Sequence, residues 1–320
     1  MRADRPAYTG PTVKASLIQL EAGPLHVDIA PAVGASIARF CSRAADGRTV
    51  DWLRPASAEG LAERHPLAMA SFPLVPFCGR IRNGRAHFEG RDIRFPPNHP
   101  AEDSPHAFNG IGWQQAWTVA EAQRTRAQLA LTVPATQGWP WRFSCTEVVE
   151  LSEQQLRVSI ALTNEDDAPM PAGIGHQPCF PDTGRTRLTT TAAAMWTVDE
   201  EDMPVEPEIN EVIARLREGV LLADLHLDTG FTGWERDVLI AWEADAIGPA
   251  RSVLMEAEAP LDFFMLHSLR GYDHFCFAPV SQCSDWLNLI AHHGQESVGG
   301  ARLAPGETLQ ARFTLTPRWG

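Results

Sequence analysis

Positive charge is scarce in this chain: 27 Lys and Arg stand against 40 Asp and Glu, a net charge of −13. Such a surplus repels nucleic acid and anionic membrane at long range, so neither is expected as a partner, and a neutral or locally steered small molecule fits better. Long apolar runs are missing too. No stretch approaches the ~18 apolar residues that a spanning helix needs, and the opening MRADRPAYTG lacks the apolar centre of a secretory leader. The expectation is a cytoplasmic protein. There is no CxxC and no pair of histidines at metal-ligand spacing, so neither a metal nor a cofactor is expected. Cys41, Cys78, Cys145, Cys179, Cys276 and Cys283 are scattered through apolar or strand-like contexts, and are read as reduced, buried small hydrophobes. The adjacent His292 and His293 point in different directions on any regular element and are read as a solvated loop. No internal repeat, linker or composition shift divides the chain, which reads as a loose arm over 1–12 and one domain over 13–320. A homo-oligomer is admitted by these features and not required by them.

What is present is period-2 alternation, the mark of strands with one buried face. Ala127, Leu129, Leu131 and Val133 form one such series, Leu156, Val158, Ile160 and Leu162 a second, and Leu309, Ala311, Phe313 and Leu315 a third. Asp46-Gly47, Asn83-Gly84, Glu89-Gly90, Ser152-Glu153 and Pro305-Gly306 supply turns between runs. With 24 Gly and 25 Pro in a chain that is 44% hydrophobic, many short strands predict an all-β fold, a large antiparallel β-sandwich. One segment departs from the pattern. Ile209, Val212, Ile213 and Leu216 make a helical stripe between Pro207 and Gly219, which predicts a short amphipathic helix over 208–218. Residues 54–66 and 96–105 read as loops.

Six segments stand apart for their chemistry. They are PFCGRIRNGRAHF (76–88), SPHAFNGIGWQQAW (104–117), MPAGIGHQPCF (170–180), LHLDTGFTGW (225–234), CFAPVSQCSDWLN (276–288) and LAPGETLQARFTLTP (303–317). Each resembles a signature of the aldose 1-epimerase (galactose mutarotase-like) family. Singly they are weak, and their weight comes from standing in the family's order along most of the chain. The resemblance implies a galactose mutarotase-like supersandwich with a concave sugar cleft, and a cofactor-free ring opening. A base takes the proton of the anomeric hydroxyl, an acid protonates the ring oxygen, the C1–C2 bond rotates and the ring closes on the other face.

By the same resemblance His176 is the acid, and Arg80 and Asp228 hold sugar hydroxyls. Asn109 falls where the family has a binding histidine, with His106 as a stand-in if the loop runs differently. Trp113, and after it Trp286, are candidate platforms for a pyranose face. The family's basic glutamate is replaced by Ala278, a methyl that accepts no proton. On a regular strand His274, Cys276 and Ala278 share a face, but His274 then lies roughly 13 Å from position 278, too far to substitute there directly. Glu102, Asp103, Glu256, Asp285 and a bound water are the other sources of a base.

Two principal readings follow: an isomerase that interconverts sugar anomers with a replaced base, and a carbohydrate-binding protein on the same scaffold without turnover. A third is chemistry on a sugar phosphate or sugar acid held by Arg80 and its neighbours. Glycoside hydrolysis needs two carboxylates facing each other across the bond, and no motif supplies them.

Overall fold

The three alternating series fold into strands of the same sheet. The structure is a computed structural model that describes residues 17–44, 47–100, 103–245 and 248–320; the arm expected over 1–12 lies outside them. Arg126–Val133, Phe143–Leu151, Leu156–Asn164 and Thr308–Trp319 are consecutive antiparallel neighbours in a nine-stranded sheet. Thr118–Ala122 forms one edge, and Arg251–Ala257, Asp237–Trp242, Thr186–Thr190 and Val220–Leu221 continue it on the other side. The register places Leu156 opposite Leu315, Val158 opposite Phe313 and Ile160 opposite Ala311. All six are buried, so the alternating residues form one apolar face, as period 2 requires.

A second sheet of eight strands supplies the other layer. Its central path runs through Ala194–Val198, Leu227–Thr232, Phe263–Ser268, His274–Val280 and Gly175–His176, and Cys179–Pro181 pairs onto His274–Val280. Phe264 and Phe277, on neighbouring strands, stack at 4.4 Å and join the same apolar core as Phe313 of the first sheet. Alternate residues of these strands face away from that core, and there they line the site described below. A four-stranded sheet, Ile18–Ala22 to Thr49–Asp51, completes the N-terminal side.

The helix expected over 208–218 is observed as Glu211–Glu218. Asn210 sets its start by accepting a hydrogen bond from the Val212 N–H at 3.1 Å. Pro207 instead ends up in the strand Pro204–Glu208. Ile213 and Leu216 are buried, but Ile209 precedes the cap and is 85% exposed. Two further helices stand where loops were expected. Ala58–Ala62 is capped by the Ser57 side chain, and Trp286–Val298 follows Asp285, with a break at Gly294. His292 and His293 are therefore on a helix, and His293 packs edge-on against Trp196 at 5.1 Å. The cysteine expectation is corrected in part. Cys179 and Cys276 face each other across paired strands and form a disulfide, while Cys41, Cys78, Cys145 and Cys283 are free and buried. Among the described residues no helix is long and apolar enough to cross a membrane.

Candidate sugar cleft

On the face of the eight-stranded sheet turned away from the core, four strands bring one transverse row together. Asp228 is paired with His267, His267 with Cys276, and Cys276 with Cys179. The next row carries Met265 opposite Ala278. These side chains form the floor of a cavity of about 470 Å³ walled by Phe72, Phe108, Asn109, Gln177, Arg54, Arg80, His65, His99, Tyr272 and His274. That volume lies in the range of small-molecule sites, which run from about 300 to 1,000 Å³. Apolar rings beside a few fixed polar groups are the mixture a sugar needs, with C–H faces to cover and hydroxyls to pair.

The polar groups are held in place. Arg80 is 7% exposed, with its guanidinium over the Phe108 ring at 5.6 Å and Nη2 donating to Asp228 Oδ2 at 3.1 Å. The other carboxylate oxygen of Asp228 lies 3.4 Å from His267 Nδ1. Burial pushes the Asp228 carboxyl upward, but the His267 hydrogen bond and the Arg80 charge outweigh it and hold the group below its ordinary value. Gly79 permits this approach. Its φ is +67°, and a Cβ there would meet Ser284 Oγ at 2.1 Å. Asn109 sits at φ +53° and accepts from the Gly79 N–H at 2.8 Å, while its amide donates to Gln177 Oε1 at 3.1 Å. On the far wall Arg54 Nη2 donates to the carbonyls of Leu67 and Met69.

Arg80, Asn109 and Asp228 are thus brought together in the cavity wall. His176, His106 and Trp113 are not. His176 is 1% exposed and points beneath the sheet, its Nδ1 2.5 Å from Ser71 Oγ and its Nε2 3.6 Å from Glu147 Oε2. Gln177, one residue on, faces the cavity instead. Adjacent residues of an extended chain point to opposite faces, so a motif match displaced by one position exchanges wall for core. Glu147 comes from Phe143–Leu151 of the nine-stranded sheet, where it shares the buried register of Phe143, Cys145, Val149 and Leu151. A carboxylate in that register was a legible sign of an internal polar partner. His106 is spent on structure, with Nδ1 accepting from the Asn83 N–H at 3.0 Å. Burial lowers its pKa. Trp113 is wholly buried and stacks behind Phe72 at 5.6 Å, its indole N–H bonded to the Gly110 carbonyl. Trp286 is likewise in the core. Phe72 is 1% exposed, so the rings available to a ligand are Phe108 and Tyr272.

Ala278 does line the cavity, as do His274 and Cys276, so the face that period 2 assigned to these three is the one they share. His267 was not singled out by any motif. The signal available was Met265 and His267 alternating with Leu266 and Phe264 along Phe263–Ser268. Among the described residues no group of three His, Cys, Asp or Glu side chains is placed to hold a metal ion.

An antiparallel supersandwich with a cavity on its open sheet, lined by Arg, Asp and His, is the architecture that the sequence resemblance implies. The aldose 1-epimerase family model matches residues 16–316, and the chain belongs to that family. It is 26% identical over 286 residues to the uncharacterised protein YphB of Escherichia coli (strain K12), covering 85% of this chain and 90% of YphB. A crystal structure of an Escherichia coli K12 protein, provisionally named as an aldose 1-epimerase, superposes with a TM-score of 0.81 at 23% identity, over 95% of this chain and 99% of that one. A galactose mutarotase-like protein from Clostridium acetobutylicum gives 0.80 at 18% identity, over 95% of each chain. The fold is the galactose mutarotase-like sandwich, and family and fold support a function of the sugar epimerase or mutarotase kind.

Proposed function

We propose that this protein interconverts the anomers of a free aldose or close derivative by acid–base ring opening in the cleft on the eight-stranded sheet. The observation that carries the reading is the Arg80–Asp228–His267 network, fixed in a cavity of monosaccharide scale beside Asn109 and Gln177. A paired arginine and carboxylate leave directional donors and acceptors for vicinal hydroxyls, and Phe108 and Tyr272 offer faces to the C–H side of a pyranose. Ring opening moves protons only between oxygens bonded to one carbon, so positioned histidines suffice for it.

Two observations favour the second reading, a sugar-binding protein without turnover. Ala278 leaves a methyl where the family resemblance calls for a carboxylate, and Gln177 stands at the cavity wall in place of His176. NMR saturation transfer between anomers of an aldose panel, run beside a binding titration, separates the readings. Exchange above the buffer rate is expected. Saturable binding without exchange would leave the protein a carbohydrate-binding relative.

A further inference from the structure

The hairpin that joins Phe263–Ser268 to His274–Val280 carries two histidines onto the cavity, one from each strand. His267 is opposite Cys276, and His274 is two residues before Cys276 on the same face, so the two histidines are diagonal cross-strand neighbours. Diagonal neighbours lie roughly 7–8 Å apart on a sheet face, a gap that two imidazoles can close around one small ligand. The Tyr272 ring meets both edge-on, 6.0 Å from His267 and 5.6 Å from His274. Each histidine has Nδ1 directed at a carboxylate: His267 at Asp228 Oδ1 (3.4 Å) and His274 at Asp273 Oδ1 (2.8 Å). A carboxylate accepts, so each Nδ1 carries the hydrogen and Nε2 is the ring nitrogen left over. Among the described residues neither Nε2 has a hydrogen-bond partner.

We propose that His267 and His274 form the acid–base pair of this cleft, taking over the work of the missing glutamate and of a histidine in the wall. The assignment rests on the anomer-interconversion reading above. In the opening step His274 Nε2 takes the proton of the anomeric hydroxyl, the C1–O1 bond becomes a carbonyl, the C1–O5 bond breaks, and O5 receives a proton from Nε2 of the His267 imidazolium. Rotation about C1–C2 and the reverse transfers close the ring on the opposite face and return both histidines to their starting state, so no proton is gained or lost.

The division of roles follows the surroundings. Asp228 stands beside His267 as counter-ion for an imidazolium, with Arg80 on its far oxygen. Burial, aided by the Arg54 and His267 charges, lowers the His274 pKa despite Asp273 and favours the neutral base. The reacting carbon then sits at the Tyr272 end of the cleft and not over Ala278. That removes the objection that His274 is too distant from position 278, because the base need not act there.

The test is anomer exchange of the aldose panel in wild type, His267→Gln and His274→Gln, with thermal unfolding and sugar affinity measured on each. The expected result is a fall in kcat of about 10²–10⁴-fold in each variant, larger than any accompanying loss of sugar affinity. The double variant should be little worse than either single one, because an acid and a base act as a unit. Asp273→Asn gives a second route should a glutamine variant fail to fold. The Asp273 side chain is 90% exposed, and an amide there can donate to Nδ1 and favour the imidazole tautomer with its hydrogen on Nε2, so kcat should fall at least tenfold with KM unchanged. Imidazole added to His274→Gly should restore exchange above that of imidazole alone, which a packing role would not produce. A folded variant at either histidine that keeps wild-type kcat overturns the pair while the isomerase reading stands. Wild-type exchange equal to buffer overturns that reading and the pair together.

Discussion

The two large sheets of this sandwich are written in the sequence in different ways. The nine-stranded sheet has one face in the core and one toward solvent, so Arg126–Val133, Leu156–Asn164 and Thr308–Trp319 alternate cleanly. The eight-stranded sheet is covered on both faces where it matters. In His274–Val280 every residue after the first is buried: Phe275 and Phe277 enter the core, while Cys276 and Ala278 sit under the cavity. Its period is erased because the ligand face is enclosed as well. A sheet that only packs advertises its register, and a sheet that forms a pocket conceals it.

His176 sharpens that contrast most. It bridges the layers, between Glu147 of one sheet and Ser71 beneath the other. Truncating a wholly buried ring leaves a cavity and strips Ser71 of its partner, at a cost of about 3–5 kcal/mol, so His176→Ala should lower stability by that order in chemical denaturation. The folded fraction should keep its sugar affinity and exchange rate. Loss of exchange in folded His176→Ala would instead give the layer interface a part in the chemistry and dissolve the division between packing sheet and working sheet.

The disulfide gives a smaller effect confined to the working sheet. Cys179→Ser with Cys276→Ser should cost about 2–4 kcal/mol relative to the oxidised protein, and non-reducing peptide mapping should recover the linked Cys179 and Cys276 peptides from the wild type. Six free thiols in the wild type and no cost in the double variant would return these cysteines to the reduced reading.

The smallest expected effect is on pH dependence. Burial lowers the pKa of His274, which is faced by Asp273, Arg54, His267 and Tyr272, below the ordinary 6.5. The unfolded chain therefore binds more protons as pH falls through 6.5 toward the lower folded value. Stability should fall in that window, and His274→Gln should flatten part of the slope. An unchanged slope would assign it to the half-buried His26 and the buried His106, whose pKa values burial also lowers.

Legibility followed the same division. The alternating strands, the turns at Asn83-Gly84, Glu89-Gly90 and Pro305-Gly306, and the short helix ending at Gly219 were readable because each depends on neighbours in the chain. Even there the helix started later than the stripe suggested, because the Asn210 cap outweighs an apolar Ile209 that has nothing to pack on. Arg80, Asn109 and Asp228 were found through the company they keep in motifs, and they do share the cavity. His267 lay in no motif, and His274 was set aside on distance along its own strand, since sequence spacing measures reach along a strand and not across one.

By itself the sequence determined an all-β sandwich of the aldose 1-epimerase family, because apolar period and collinear motifs are local signals that add up along the chain. Tertiary structure alone decided which of two adjacent residues, His176 or Gln177, meets the cavity. It also decided that strands far apart in sequence set Asp228, His267 and the Cys179–Cys276 bridge in a single row. The physical reason is the pleat: a side chain's face reverses with every residue, and its cross-strand partners are set by register, which no single strand encodes.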